Sequence, residues 1–289
     1  MLTILNSVSS LNAENALSST QASLQKTLTQ LSTGLRVNSG SDDAAGLSIA
    51  DGLQANIAAL TQSSSNASDG VGMLQTADGA LSQVTTMLNR AVTLATEASN
   101  SGLSSDQADA LNTEYQSILT EIGNIGSTTN FNGTGVFGSS GSVYTSDGTS
   151  GGISSISDAV GALTMTALGL TDTQDTSTTS NGTTTVTPAA DDLTTVTGAQ
   201  AALTAITAAI NTVAQTRGSI GATVNQLTDS ESVESAETTN LQSAVNNIED
   251  ADVGQTVANM TQYNVLEQTG MAALSQSNQA QQSVLKLLQ

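Results

Sequence analysis

A chain of 289 residues is long enough for one large or two medium domains, but 37% hydrophobic content with five aromatics and no Trp allows only a thin core of Leu, Ile, Val and Ala. Lys26, Arg36, Arg90, Arg217 and Lys286 stand against 25 acids, for a formal net charge of −20; this excludes the clustered basic surface that nucleic acid or an anionic membrane requires. The absence of Cys and His excludes disulfides, thiolate metal sites and cysteine nucleophiles, and removes the commonest metal ligand and general base.

At the start, Leu2-Thr3-Ile4-Leu5 is too short for the apolar core of a secretory signal, and the first positive charge is Lys26. No apolar run is expected to span a membrane. Leu17, Gln21, Leu24, Leu28, Leu31 and Leu35 then keep heptad spacing on an otherwise polar helix. So narrow a stripe buries too little to offset ordering entropy. This end, and its counterpart at Gln281, Val284 and Leu288, is therefore expected to order only when neighbours cover it.

Asn38-Ser39-Gly40-Ser41 is a turn, with Asp42 or Ser41 as the N-cap of the next helix. From Leu53 to Ala98 a 3-4 spacing runs through Leu53, Ile57, Leu60, Ser64, Ala67, Val71, Leu74, Ala77, Leu81, Val84, Leu88, Ala91, Ala95 and Ala98. It predicts one long helix with a single packing seam. Ser99-Asn100-Ser101-Gly102 ends that helix, Ser104-Ser105-Asp106 caps another, and Leu111, Tyr115, Ile118, Ile122 and Ile125 continue the pattern. Asn132-Gly133 predicts a tight hairpin turn.

Residues 138–198 are rich in Ser, Thr and Gly. Short strands are expected around Val143-Tyr144 and 153–156, although Ile153, Ile156, Val160, Leu163, Ala167 and Leu170 also read as a helix. The return seam runs Leu203, Ile206, Ile210, Val213, Arg217, Ile220, Val224, Leu227, Glu231, Glu234, Thr238, Leu241, Val245 and Ile248. Its charged members are read as facing a wetter part of the bundle or another subunit, in preference to an acid crossing from another helix. The fold class is therefore mainly α: a long antiparallel, coiled-coil-like bundle formed by both chain ends, with a small β-hairpin or mixed insert.

No nucleophile elbow, phosphate loop or dinucleotide fingerprint is present. The paired acids Asp42-Asp43 and Glu249-Asp250-Ala251-Asp252 are read as companions of helix starts, not as a hydrolytic or metal centre. Asp147-Gly148-Thr149-Ser150 lacks the spaced ligands of a calcium loop. Neither catalytic residue nor cofactor nor metal is assigned, and no enzyme activity is expected.

Several motifs share one family order. Leu11, Asn12, Leu31, Gly34, Arg36 and the run Asp42-Asp43-Ala44-Ala45-Gly46-Leu47, followed by Asn66-Ala67-Ser68-Asp69-Gly70 and Asn130-Phe131-Asn132-Gly133, resemble the amino-terminal signature of bacterial flagellins. Ile248, Glu249, Asp250, Asp252, Leu285 and Leu288 lie in stretches that resemble the carboxy-terminal one. The resemblance covers about residues 1–137 and 199–289. It implies a structural subunit polymerising with itself into the flagellar filament, the extracellular propeller of swimming; the alternative is a hook–filament junction protein. Residues 1–40 with 250–289 would form the innermost, channel-lining layer, 41–137 with 199–249 a surrounding bundle, and 138–198 a small outer insert. Implied partners are the flagellar type III export apparatus, a chaperone, and cap and junction proteins, with export without a cleaved signal peptide. The family's innate-immune receptor reads a strip matched here by Arg90, Leu94 and Glu114, although Val92 and Thr93 depart from it. The other reading of Arg90 and Glu114 is a subunit or helix contact.

Overall fold

The structure, a computed structural model, describes residues 8–139, 141–147, 154–170, 176–180, 183–187 and 192–287. Its elements are α1 Val8–Thr33, α2 Ala44–Ala98, α3 Ser105–Thr128, β1 Asn130–Phe131, β2 Thr134–Gly135, β3 Ser142–Thr145, β4 Ser154–Ser157, β5 Thr176–Ser180, β6 Thr183–Thr187, α4 Val196–Glu249 and α5 Val253–Leu287. The strands form three separate antiparallel pairs, β1–β2, β3–β4 and β5–β6. The chain is thus mainly α with a small β insert, as its periodicity predicts.

Packing divides it into two compact units. Unit 1 is Met1–Ile57 with Thr238–Gln289, and unit 2 is Ala58–Glu237. The division falls inside α2 and α4, whereas the turn sequences at 38–41 and 250–252 separate one helix from the next.

In unit 2 the predicted seams are the core. Every seam position of α2 from Leu60 to Ala98 is buried or half-buried, and so is every one on α3 from Leu111 to Ile125. Leu74, Leu81, Leu88, Tyr115, Ile122, Ile206, Val213 and Leu227 join one continuous apolar cluster. Each fully buried Leu or Ile contributes about 1.5–3 kcal/mol. α2 stops where Gly102 donates its N–H to Asn100 Oδ1 at 3.1 Å, and α3 opens with Ser104 donating its N–H to Gln107 Oε1 at 3.0 Å. One stretch of α4 is apolar enough by length and composition to cross a membrane, which the sequence reading did not anticipate. That stretch is 33% buried, and Ala199, Ala202, Ile206, Ala209 and Val213 of the same helix lie in the cluster.

The charged seam residues correct the sequence reading. Arg217 on α4 donates from Nε to Asp78 Oδ1 of α2 at 2.7 Å, so the acid does come from another helix. Glu234 is 5% exposed and accepts a hydrogen bond from Ser63 Oγ at 2.6 Å, while Ser63 Oγ accepts the Ser146 N–H at 3.0 Å. That short chain joins α2, α4 and the end of β3.

Asn132 and Gly133 take φ of 49° and 80°, the left-handed pair a two-residue hairpin needs, and β1 and β2 pair around them. Of the two readings that meet at Ile156 the structure chooses strand over Ser154–Ser157, Val143 pairing with Ile156 in register, while Ile153 lies outside the described residues. Strand pairing wins there because Val143 and Ile156 both reach the core from one face of the hairpin. The chain then continues without a long helix, burying Val160, Leu163, Leu168 and Leu170. The hairpin β5–β6 has no counterpart in the sequence reading.

Gly126 lies where any Cβ would run into the Leu163 backbone carbonyl, whereas Gly79, also helical, has nothing within 4 Å of that position. Gly126→Ala is expected to destabilise unit 2 by about 1–3 kcal/mol through overpacking. Gly79→Ala should stabilise it by about 0.5–1 kcal/mol through helix propensity. Urea unfolding followed by circular dichroism checks both signs.

Candidate functional site

Two motifs separated by some 200 positions meet in unit 1. α1 ends at Gly34, whose φ of +76° is the left-handed closing conformation that favours glycine. Its carbonyl accepts the Ala251 N–H at 2.9 Å, and Leu35 and Asp250 form an antiparallel bridge. Arg36 donates its N–H to the Glu249 carbonyl, and its guanidinium donates to the carbonyls of Ile248 at 2.6 Å and Asn247 at 3.3 Å. The last carbonyls of a helix lack intrahelical partners and carry its negative pole, so Arg36 supplies both donors and charge to the end of α4.

The acidic residues serve helix starts and the turn. Asp43 Oδ1 accepts the N–H groups of Ala45 at 3.1 Å and Gly46 at 2.9 Å, making Asp43 the N-cap of α2 in place of the predicted Asp42 or Ser41. Asp42 instead closes the preceding turn: Oδ2 accepts the N–H groups of Asn38 and Ser39, and Oδ1 pairs with Lys26 Nζ at 2.7 Å. Gly46 is needed because a Cβ there would collide with the Asp43 carboxylate and come within 3.4 Å of Ile248. Asp252 Oδ1 caps α5 through the Gln255 N–H at 3.1 Å, and the Glu249 carboxylate accepts from Gln54 Nε2 at 3.2 Å.

α1 and α5 pack on one another, as a bundle formed by both chain ends predicts. Each supplies the other's cover. Ser10 and Ser277 share a hydrogen bond of 2.8 Å, Gln21 donates to Glu267 Oε1 at 3.1 Å, and Gly270 leaves room for Leu17. The seam is polar and small: the buried residues within the two helices are Thr27 and Thr256, among the side chains described. Of the predicted stripe, Leu17, Leu24 and Leu31 are half-buried, but Gln21 and Leu28 are exposed.

Large apolar side chains therefore remain outside. On α1 these are Val8, Leu11 and Leu28; on α5 they are Val253, Val257, Val265, Leu266 and Met271, with exposures from 40% to 72%. Leu11, Leu28, Val257 and Met271 each follow a seam residue by one position, about 100° round the helix. Asn12 is also exposed; Leu285 lies in α5, and Leu288 falls outside the described residues.

In unit 2, Arg90 Nε donates to Glu114 Oε1 at 2.7 Å, joining α2 to α3 with both side chains about half exposed. Leu94, expected beside them on an outward strip, is 1% exposed and lies in the core cluster. The seam is wide enough at this point for Leu94 to pack beside Ala91 and Ala95. Unit 2 carries shallow grooves, one of about 640 Å³ beside Asp78 and Arg217.

The Lys26 hydrogen bond, then the Asn38 amide, holds the Asp42 carboxyl below its ordinary value of 3.8, against a smaller opposing effect of burial. A carboxyl lowered in the fold stabilises the turn above that value and loses the contribution as pH falls through its folded pKa. Protection of the Asn38 and Ser39 amides, relative to their intrinsic exchange rates at each pH, is therefore expected to be lost only below pH 3.8 in the wild type. In Asp42→Asn those amides should exchange fast at neutral pH already.

Comparison with known proteins accords with this architecture. The model of the bacterial flagellin N-terminal helical region matches residues 4–142, and that of the C-terminal helical region matches residues 203–288. A flagellin of Halalkalibacterium halodurans is 33% identical over 265 residues, covering 91% of both chains. A flagellin of Bacillus subtilis is 31% identical over 301 residues, covering 99% of both. The crystal structure of Bacillus cereus flagellin aligns with 58% of this chain and 88% of that one, at 23% identity and a TM-score of 0.46. The two family models leave out the extreme ends and residues 143–202, which are most of the insert and the start of α4, and the chain belongs to the bacterial flagellin family.

Proposed function

We propose that this chain is the structural subunit of a flagellar filament and that it polymerises through the apolar faces its terminal helix pair leaves uncovered. One observation carries the reading. Among the described residues, nine of the twelve exposed large apolar side chains belong to unit 1: Val8, Leu11, Leu28, Ile49, Val253, Val257, Val265, Leu266 and Met271. Unit 2 buries its own stripes and exposes three, Tyr144, Val196 and Val233. Exposed large apolar side chains concentrated in one part of a chain mark it for association. Unit 1 is thus the adhesive part of the subunit and unit 2 the self-sufficient part.

In the polymer, residues 1–40 and 250–289 form the innermost layer, 41–137 and 199–249 surround it, and 138–198 lie outermost. The cover that α1 and α5 lack in one chain supports this order, because the core of a polymer is where neighbours supply it from several sides. Export as an unfolded chain through the flagellar apparatus suits a protein with no cysteine and one fully buried aromatic, Tyr115. The full-length relatives bear the name of the filament subunit, which favours it over a hook–filament junction protein.

Leu28 is 47% exposed and lies off the α1–α5 seam, so Leu28→Asp leaves the monomer's helicity and melting unchanged. Covering a leucine in a subunit contact is worth about 1.5–3 kcal/mol. The concentration needed for polymerisation should therefore rise by about tenfold or more, read by sedimentation of polymer from free subunit. Unchanged polymerisation would remove Leu28 from the interface.

A further inference from the structure

The β3–β4 hairpin of unit 2 carries a carboxylate where its own pattern calls for an apolar residue. Along β4 and beyond it, Ser155, Ser157 and Ala159 are exposed while Ile156, Asp158 and Val160 are buried. Asp158 is 8% exposed, and its enclosed Oδ1 has no hydrogen-bond partner in the protein. Room for it comes from Gly141, the residue before β3, where any Cβ would collide with the Asp158 carboxylate. The register Ser142 to Ser157 brings Gly141 and Asp158 side by side at the open end of the hairpin. An ionised carboxyl taken from water without a donor or counter-charge is costly.

Asp158 also lines a groove of about 320 Å³ with Asn66 and Asp69 of α2 and Ser142 and Tyr144 of β3. Gly70 makes this juxtaposition, since Val143 packs where a Cβ on α2 would stand. Among the described residues, none offers the groove a counter-charge. Among the cations whose side chains are described, Lys26 pairs with Asp42, Arg90 with Glu114 and Arg217 with Asp78, and Arg36 is spent on helix carbonyls.

We propose that this groove binds a hard divalent cation, calcium foremost, through the carboxylates of Asp158 and Asp69, with the Asn66 amide oxygen and water completing the shell. Oxygen ligands alone suit calcium or magnesium rather than zinc or copper. An open groove with irregularly disposed donors suits the flexible coordination of calcium better than the strict octahedron of magnesium. Among the described residues no three acids converge, so the site is a weak one, with a dissociation constant of about 10⁻⁴–10⁻³ M. The bound ion would fasten the hairpin to α2.

Tyrosine-sensitised terbium luminescence of the full-length monomer tests the site, because Tyr144 lines the groove and terbium stands in for calcium. Saturable emission is expected that calcium displaces, that Tyr144→Phe abolishes and that Tyr263→Phe preserves. Asp158→Asn and Asp69→Asn should each weaken binding by about tenfold, while Asp229→Asn, an exposed acid on α4, should not. Calcium should also raise the melting midpoint of the wild type and of Asp229→Asn, but not of the two groove variants. Asp69 is exposed, so its variant tests the site even if Asp158→Asn disturbs the hairpin; circular dichroism reports that disturbance. Emission that does not saturate, or that survives both groove substitutions, overturns the proposal. So does an Asp158→Asn variant that melts higher than a calcium-insensitive wild type, since the buried carboxyl would then be a cost to the fold that no ion offsets.

Discussion

Unit 2 is organised by the apolar stripe of α2. A chain with one fully buried aromatic cannot fill a thick centre, so burial is spread along a line: Leu60, Leu74, Leu81, Leu88 and Leu94, interleaved with Ala67, Ala77, Ala91 and Ala95. Large and small residues in alternation let neighbouring helices approach closely while leaving few gaps. α3 answers with Tyr115 and Ile122, and α4 with Ile206, Val213, Ile220 and Leu227. Departures from apolarity along this stripe are matched across it, as Asp78 is by Arg217 and Ser63 by Glu234. The insert depends on the same surface, for Val143 seats itself at Gly70 of α2.

Unit 1 follows a different rule. Its fully buried apolar side chains are Val37, Ala50 and Val245, among those described, and none belongs to α1 or α5. Hydroxyls take the seam instead. Thr20, Ser23 and Thr27 donate to the carbonyls of Ala16, Ser19 and Ser23 on their own helix, which lets polar residues sit at a contact without needing a partner from across it. Such a seam holds two helices together weakly. Its apolar surface is turned outward, while the joint at Gly34, Arg36, Asp43 and Asp252 sets where the helices start and stop.

Much of this was legible in the residues themselves. A 3-4 spacing sustained for some forty positions admits one reading, and Asn132-Gly133 names its turn by the backbone angles it tolerates. Other features resist because they rest on pairings between distant segments. Nothing local to Arg36 points to the carbonyls of Asn247 and Ile248, and nothing near Arg217 points to Asp78. The α1 stripe holds at Leu17, Leu24 and Leu31 but departs at Leu28, because hydropathy ranks Leu28 above Thr27. Yet the helix satisfies the Thr27 hydroxyl, and the fit of α5, with Gly270 against Leu17, sets the phase. The neighbouring acids Asp42 and Asp43 differ by one position in the chain and entirely in role, since a cap is decided by which carboxylate meets the free N–H groups. Ile156 fits strand and helix patterns alike until Val143 stands opposite it.

The few cations of this protein have a further meaning for the assembled state. Lys26, Arg36, Arg90 and Arg217 are all engaged within their own unit. The carboxylates facing solvent are consequently left largely without fixed counter-ions, and a fibre built from many copies carries like charge along its whole length. Two such fibres lying side by side repel over a distance set by the surrounding salt, about 8 Å at physiological ionic strength. They resist sticking to one another or to anionic surfaces.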